Sequence, residues 1–380
     1  MNTILGIDKL ESVSSSFKGQ KIALITNYSG INSSLEENIK LFLDNGLDIV
    51  KVFAPEHGIY GIADGEAFED MIHPVYKIPV ISLYGNKKKP RTEDLMDVDM
   101  IVYDIQDVGL RYYTYIYTLA YSLEAAHENS KKFVVLDRPN PLGCEIVSGN
   151  RMPKNYSSFV GDYALPIRYG LTPGEIGRYF IKFMKLDVDY DVVKMENYTR
   201  NMYYPDTNLH WNLPSPALPN FESVQCYYGG CFMEAVNISE GRGTSKPFQM
   251  YGAPWIDMYS LKKKMDDDLP QSDFDYRERA FVPFYSKYKD EVCFGLEFFP
   301  KTNDADFLPV ILKFMKNVFE MHSDKFEFIK YADVARIESL TGDRRVVDYF
   351  KDVIDLSELL ECWKAEVSEF KAYTEELKLY

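Results

Sequence analysis

Short apolar runs rich in β-branched residues alternate with helical segments through the first half of the chain. Lys21–Asn27, Asp48–Ala54, Ile78–Leu83, Asp99–Asp104 and Lys132–Asp137 are such runs, and Asp189–Met195 adds a sixth. A strand that is apolar along its length has both faces buried, as in a parallel sheet covered by helices on either side. Between the runs, Leu35–Asn45 predicts a helix ending at Gly46, and Tyr113–Asn129 a longer one. Thr172-Pro173-Gly174-Glu175 predicts a helix start. Thr172 caps, Pro173 suits the first helical position, Glu175 completes a capping box, and the helix runs to about Lys185. The alternation predicts an α/β fold, a Rossmann-like doubly wound parallel sheet.

A chain of 380 residues exceeds one ordinary core. The Pro-rich stretch Trp211–Pro219 reads as the edge of the first unit. We expect a Rossmann-like catalytic domain over 1–221 and a smaller α+β domain over 222–380 that closes the cleft, with a helix at Asp306–Val318 and another near Leu356–Lys364. With 29 Tyr and 24 Phe, the chain can supply both a packed core and stacking surfaces of the kind that suit the C–H faces of sugars.

The net charge of −15 argues against nucleic-acid binding, which needs clustered Lys and Arg. Lys87-Lys88-Lys89 reads as a solvated loop tip. Cys144, Cys226, Cys231, Cys293 and Cys362 form no CxxC pair, which suits reduced thiols. No run of about 18 apolar residues is present, and the first residues lack a basic stretch followed by an apolar one, so a cytoplasmic protein without membrane contact is expected.

No GxGxxG follows the first strand and no GxxxxGK[ST] occurs, so the fold carries no implied dinucleotide or ATP, and no cofactor is expected. In doubly wound sheets the site lies beyond the carboxyl ends of the strands. Three strand ends run into polar sequence: Pro55-Glu56-His57-Gly58, Asp104-Ile105-Gln106-Asp107-Val108-Gly109 and Asp137-Arg138-Pro139-Asn140-Pro141. A partly desolvated carboxyl at a strand end, here Glu56, suits a general acid, and His57 can orient a neighbour. Asp104, Gln106 and Asp107, with Arg111 and Tyr113 following, can supply carboxylates, hydrogen bonds to hydroxyls and a stacking wall. Asp107 can equally cap the next helix, and Asp137 can simply pair with Arg138. In Ser239-Glu240-Gly241-Arg242-Gly243-Thr244, two glycines bracket an arginine that can clamp a carboxylate. His73, His127, His210 and His322 read as structural, and no HxH or HxxxH offers metal ligands.

Taken in order, FAPEHG (53–58), SLYG (82–85), YDIQDVGLRYYTY (103–115), LDRPNPLG (136–143), YGLTPGE (169–175), PSPALP (214–219) and SEGRGTSKPFQMYGAPW (239–255) resemble the NamZ-type exo-β-N-acetylmuramidases, glycoside hydrolase family 171. The resemblance spans most of the chain. It departs at Ala217, where Asn is expected, at Tyr169, where His is usual, and over 232–238. It implies release of β-1,4-linked N-acetylmuramic acid (MurNAc) from non-reducing ends of peptidoglycan fragments, in cell-wall recycling, with no organic cofactor. It implies Glu56 as the catalytic acid, with Glu240, Asp104 and Asp107 as candidates for the second carboxylate. His57, Gln106, Asp107, Arg111, Tyr113, Asp137, Arg138, Asn140, Arg242 and Thr244 are candidate substrate contacts, and the lactyl carboxylate of MurNAc calls for Arg242, Arg111 or Arg138. A monomer or homodimer acting on MurNAc-containing muropeptides is expected. Retention, inversion and assistance by the substrate's own acetamido group all stay open. A non-catalytic sugar binder, and a metal-dependent hydrolase using Glu56, His57 and Asp104, are the alternatives.

Overall fold

The computed structural model of the protein describes residues 2–62, 68–331 and 334–380. A seven-stranded sheet is built from β1 (Lys21–Thr26), β2 (Asp48–Ala54), β3 (Met71–Ile72), β4 (Pro79–Ser82), β5 (Met100–Asp104), β6 (Lys132–Leu136) and β9 (Tyr190–Val193), while β7 (Ser148–Arg151) and β8 (Pro166–Arg168) pair as a small antiparallel ribbon. The sheet order is β3-β4-β2-β1-β5-β6-β9, and every pairing is parallel except that of β3 with β4.

All six sequence-derived runs are strands of this sheet, and the alternation along each shows why. In β1, Ala23 and Ile25 join one apolar cluster and Ile22 and Leu24 the other, so the two faces are covered separately. The same split divides Ile101 and Tyr103 from Met100 and Val102 in β5. The chain lays β2 and β4 on one side of β1 and then crosses to β5, β6 and β9 on the other. The β1–β5 junction is therefore the topological switch point, where such sheets open a crevice at their carboxyl ends.

Helix α1 (Asn38–Asp44) starts three residues later than expected, because Leu35 has φ +66° and Glu37 is extended. Helix α2 covers Tyr115–Glu128 and α3 covers Pro173–Met184. The predicted cap of α3 is present: Thr172 Oγ1 accepts from Glu175 N at 3.3 Å, and Glu175 Oε2 accepts from Thr172 N at 3.1 Å.

Beyond residue 220, a three-stranded antiparallel sheet, β10 (Met250–Ala253), β11 (Phe274–Phe281) and β12 (Cys293–Pro300), is ordered β10-β12-β11. Helices α4 (Phe221–Gly230), α5 (Met258–Asp268) and α6 (Phe307–Met321) pack with it, around Tyr251, Phe298, Phe307 and Phe314. After a short helix, α7 (Arg336–Thr341), and another, α8 (Arg345–Phe350), the long α9 (Leu356–Thr374) lies against β7 of the first half. Among the described residues, no helix is long and apolar enough to cross a membrane. All five cysteines are free thiols.

Candidate active site

β2 ends at Ala54 and delivers Pro55-Glu56-His57-Gly58 to the sheet's rim. His57 (φ +69°) and Gly58 (φ +65°) are successive left-handed residues, so the chain turns back at once. Left-handed backbone costs a residue with a side chain on the order of 1–2 kcal/mol, and it persists here at a rim turn beside the half-buried Glu56. Glu56 Oε2 accepts from Thr114 Oγ1 at 2.5 Å. Thr114 stands at the N-cap of α2 with helical backbone angles (φ −73°, ψ −14°) and makes no side-chain cap bond; its hydroxyl donates to Glu56.

Glu56 and His57 line an open cavity of about 520 Å³ together with Tyr113, Glu240 and Arg242. That volume falls in the usual range for small-molecule sites. A second cleft, of about 670 Å³, is lined by residues such as Asn150, Arg151, Arg345 and Glu366, and by none of the sequence-derived candidates.

Segment 239–244 reaches the cavity because it is pinned to β10: Ser239 and Gly252 exchange backbone hydrogen bonds of 2.8 and 3.1 Å. Gly241 (φ +75°) and Gly243 (φ +76°) are both left-handed. A Cβ at Gly241 would sit 2.8 Å from Met250 O, and one at Gly243 2.6 Å from Tyr285 O. The two glycines are thus required by conformation and by close approach, and between them they aim Arg242 inward.

Glu240 is buried beside two cations. Its Oε2 accepts from Lys287 Nζ at 3.0 Å and its Oε1 from Arg242 Nη1 at 3.1 Å. Burial pushes the Glu240 carboxyl up, but Lys287 and Arg242 outweigh it and hold the group below the ordinary glutamate range. Arg242 also donates to Glu234 Oε1 at 2.8 Å and lies 4.8 Å from the centre of the Phe248 ring. Glu234 Oε2 accepts from Arg336 Nη2 at 3.3 Å. The walls are aromatic: Tyr84, Tyr113, Phe159, Tyr227, Phe248 and Tyr285 all face the cavity. The Tyr113 and Tyr115 hydroxyls both donate to Pro214 O, at 2.7 and 2.8 Å, which ties the 211–219 stretch into the wall beside Ser215 and Ala217.

The other candidates lie elsewhere. Asp104 is fully buried at the end of β5, with Oδ1 accepting from Arg138 Nε at 2.6 Å and Oδ2 from Asn38 Nδ2 at 2.8 Å. It is therefore committed away from the cavity that holds Glu56 and His57. Arg138 donates onward to Ile31 O at 2.9 Å. Asp137 Oδ1 accepts from Gly174 N at 2.8 Å, and its Oδ2 from Thr172 Oγ1 at 2.9 Å and Tyr380 Oη at 2.8 Å. Burial raises Asp137 to about 7 and Asp107 to about 6. Asp107 accepts from Gly109 N at 2.7 Å and from the hydroxyl of Tyr169, a position where the sequence departs from its motif. Gln106 Nε2 donates to Asp107 O and Pro139 O, both at 2.8 Å, and Asn140 Nδ2 to Leu171 O at 3.0 Å. Arg111 is fully buried and donates to Asn150 O (2.6 Å), Leu165 O (3.0 Å) and Thr341 O (2.9 Å). Thr244 Oγ1 closes its own turn onto Gly241 O at 2.6 Å.

Residues that the sequence reading passed over complete the cavity: Thr114, Glu234, Lys287 and Arg336. Thr114 sits inside the tyrosine run that was singled out, but nothing local marks Lys287 or Arg336 as neighbours of Glu240 and Glu234.

Acids in contrasting settings within one aromatic-walled cavity, here Glu56 against the ion-paired Glu234 and Glu240, are the equipment of a carbohydrate-cleaving enzyme. Residues 22–222 match the family model of the exo-β-N-acetylmuramidase NamZ N-terminal domain, and residues 225–380 that of its C-terminal domain. The chain belongs to this glycosidase family. It is 36% identical over 380 residues to the peptidoglycan β-N-acetylmuramidase NamZ of Bacillus subtilis (strain 168), covering 99% of this chain and 91% of that protein. Two crystal structures of DUF1343 family proteins from Bacteroides fragilis superpose over 100% of this chain and 99% of theirs, one with a TM-score of 0.90 at 30% identity and one with 0.78 at 26%.

Proposed function

We propose that this protein is an exo-β-N-acetylmuramidase that releases β-1,4-linked MurNAc from the non-reducing ends of peptidoglycan fragments. The observation that carries the reading is that Glu56 and Glu240 line one cavity in different settings. Glu240 is held ionised by Lys287 and Arg242, so it is no proton donor. Glu234 is likewise paired, with Arg242 and Arg336, so Glu56, met by the Thr114 hydroxyl, is left as the general acid that protonates the departing glycosidic oxygen. Ionised Glu240 stabilises positive charge building at the anomeric carbon, or attacks it. Tyr113 and Tyr227 offer faces for the sugar ring. The division into a catalytic domain over 1–221 and a closing domain over 222–380 fits this, because Glu56 comes from the first and Glu240 from the second. Five free thiols suit a reducing compartment, and with it recycling of muropeptides in the cytoplasm.

The test is release of free MurNAc from a MurNAc–N-acetylglucosamine disaccharide, with an N-acetylglucosamine-capped fragment and Glu56→Gln alongside. Release from the first substrate only, reduced by at least about a hundredfold in the variant, is expected. Binding without release would make the protein a sugar binder. Wild-type turnover by Glu56→Gln would move the acid elsewhere.

A further inference from the structure

MurNAc differs from N-acetylglucosamine by a lactyl ether, whose carboxylate is ionised at neutral pH. An enzyme selective for it needs a cation where that group lands, and this inference rests on the activity proposed above. Arg111 and Arg138 are committed outside the cavity, which leaves, among the described residues, Arg242, Lys287 and Arg336 as the Lys and Arg side chains on its wall.

Lys287 is saturated. Its ammonium has three donors, and they meet Met233 O (2.6 Å), Ile238 O (3.0 Å) and Glu240 Oε2 (3.0 Å). Arg242 is held between Glu234 and Glu240 and stacked over Phe248, with its side chain 19% exposed. Removing it from those acids would strip Glu240 of one of its two counter-charges. Arg336 differs. It opens α7, its backbone fixed by a 2.8 Å bond to Ile329 O. Its side chain is 42% exposed, and its contact with Glu234 is the longest carboxylate contact in the cluster, at 3.3 Å. Its Nε is buried and has no hydrogen-bond partner among the described residues. A guanidinium binds a carboxylate side-on through Nε and one Nη; in Arg336 the Nε is unmet and only Nη2 is engaged, by Glu234, so its fork is half-filled and takes a ligand when the side chain turns from Glu234. Glu234, already 2.8 Å from Arg242 Nη1, keeps a cation when Arg336 turns to a ligand.

We propose that Arg336 is the specificity-determining residue that receives the lactyl carboxylate of MurNAc. The decisive comparison uses chromogenic β-glycosides of MurNAc with the lactyl group as free acid or as neutral amide. The wild type should favour the acid on the order of tenfold to a hundredfold in kcat/KM, mostly through KM, as one charge-assisted contact allows. Arg336→Ala should bring the acid-to-amide ratio close to one, and Arg336→Lys, which keeps the charge without the fork, should leave it in between. An unchanged ratio in either variant would overturn the assignment, and the lysine variant answers the question even if the alanine variant is poorly folded. If the wild type hydrolyses neither glycoside, the proposed activity itself fails and this assignment falls with it.

Discussion

Asp104 ends β5 at the sheet's carboxyl rim, yet its surroundings are those of a framework residue. Its carboxylate is fully buried, 2.6 Å from Arg138 Nε, and the arginine side chain is 3% exposed. Arg138→Met should leave that carboxylate with Asn38 but no counter-charge. Breaking a buried pair from one side costs roughly 3–5 kcal/mol, because an uncompensated charge remains. At about 2.1 cal/mol/K per residue, a chain of 380 residues has an unfolding entropy of roughly 0.8 kcal/mol/K, so unfolding as one unit should drop in Tm by about 4–6 °C. Asp104→Asn should also destabilise. The double variant should lose less than the sum of the two, with a coupling energy on the order of 1–3 kcal/mol. Denaturant midpoints for the four proteins give the cycle, and MurNAc release by the folded fraction supplies the second readout. Asp104→Asn should keep kcat/KM within about tenfold of wild type, since no transition-state contact is removed. A variant with a wild-type midpoint but a loss of about a thousandfold or more would refute the framework role and restore Asp104 to the chemistry.

Lys287→Met should remove the larger of the two charge effects holding Glu240 ionised, so burial gains weight and the Glu240 carboxyl rises. The acidic limb of the kcat/KM profile should move to higher pH, and an unmoved limb would show that ionised Glu240 is not required. Asp137 is the opposite case: its folded value of about 7 lies above that of an unfolded aspartate, so the fold takes up a proton between them. The stabilisation is full below the unfolded value and is lost as pH rises through about 7; Asp137→Asn should flatten that slope of denaturation midpoint against pH, and an unchanged slope would place the titration elsewhere.

The strands were legible because burial on both faces leaves a continuous apolar run, and α3 was legible because its cap is a local code written within four residues. The rim was legible for the same reason: polar sequence begins where the covering helices end. Depth at the rim was not. Asp104, Asp137, Arg138 and Asn140 all follow strands, and as residue types they are indistinguishable from ligands. The structure turns them on one another and on backbone groups, Arg138 to Asp104, Asp137 to Gly174, Asn140 to Leu171. That outcome follows from the sheet itself. A parallel sheet buries its strand ends, the loops that follow must satisfy their own polar groups, and short polar side chains next to the strands do it. Glu56 escapes because the left-handed His57 and Gly58 turn the chain at once. The second half of the site was legible only where glycines bracket Arg242. Its remaining charges, Glu234, Lys287 and Arg336, come from three separate segments with no shared motif, and only the folded chain brings them to Glu240 and to one another. A cluster assembled in this way sets the Glu240 carboxylate between two cations while a third, Arg336, keeps an Nε that no described residue meets. If Arg336 receives the lactyl carboxylate as proposed, that asymmetry is what lets one cavity hold an anion of its own and accept another from the substrate.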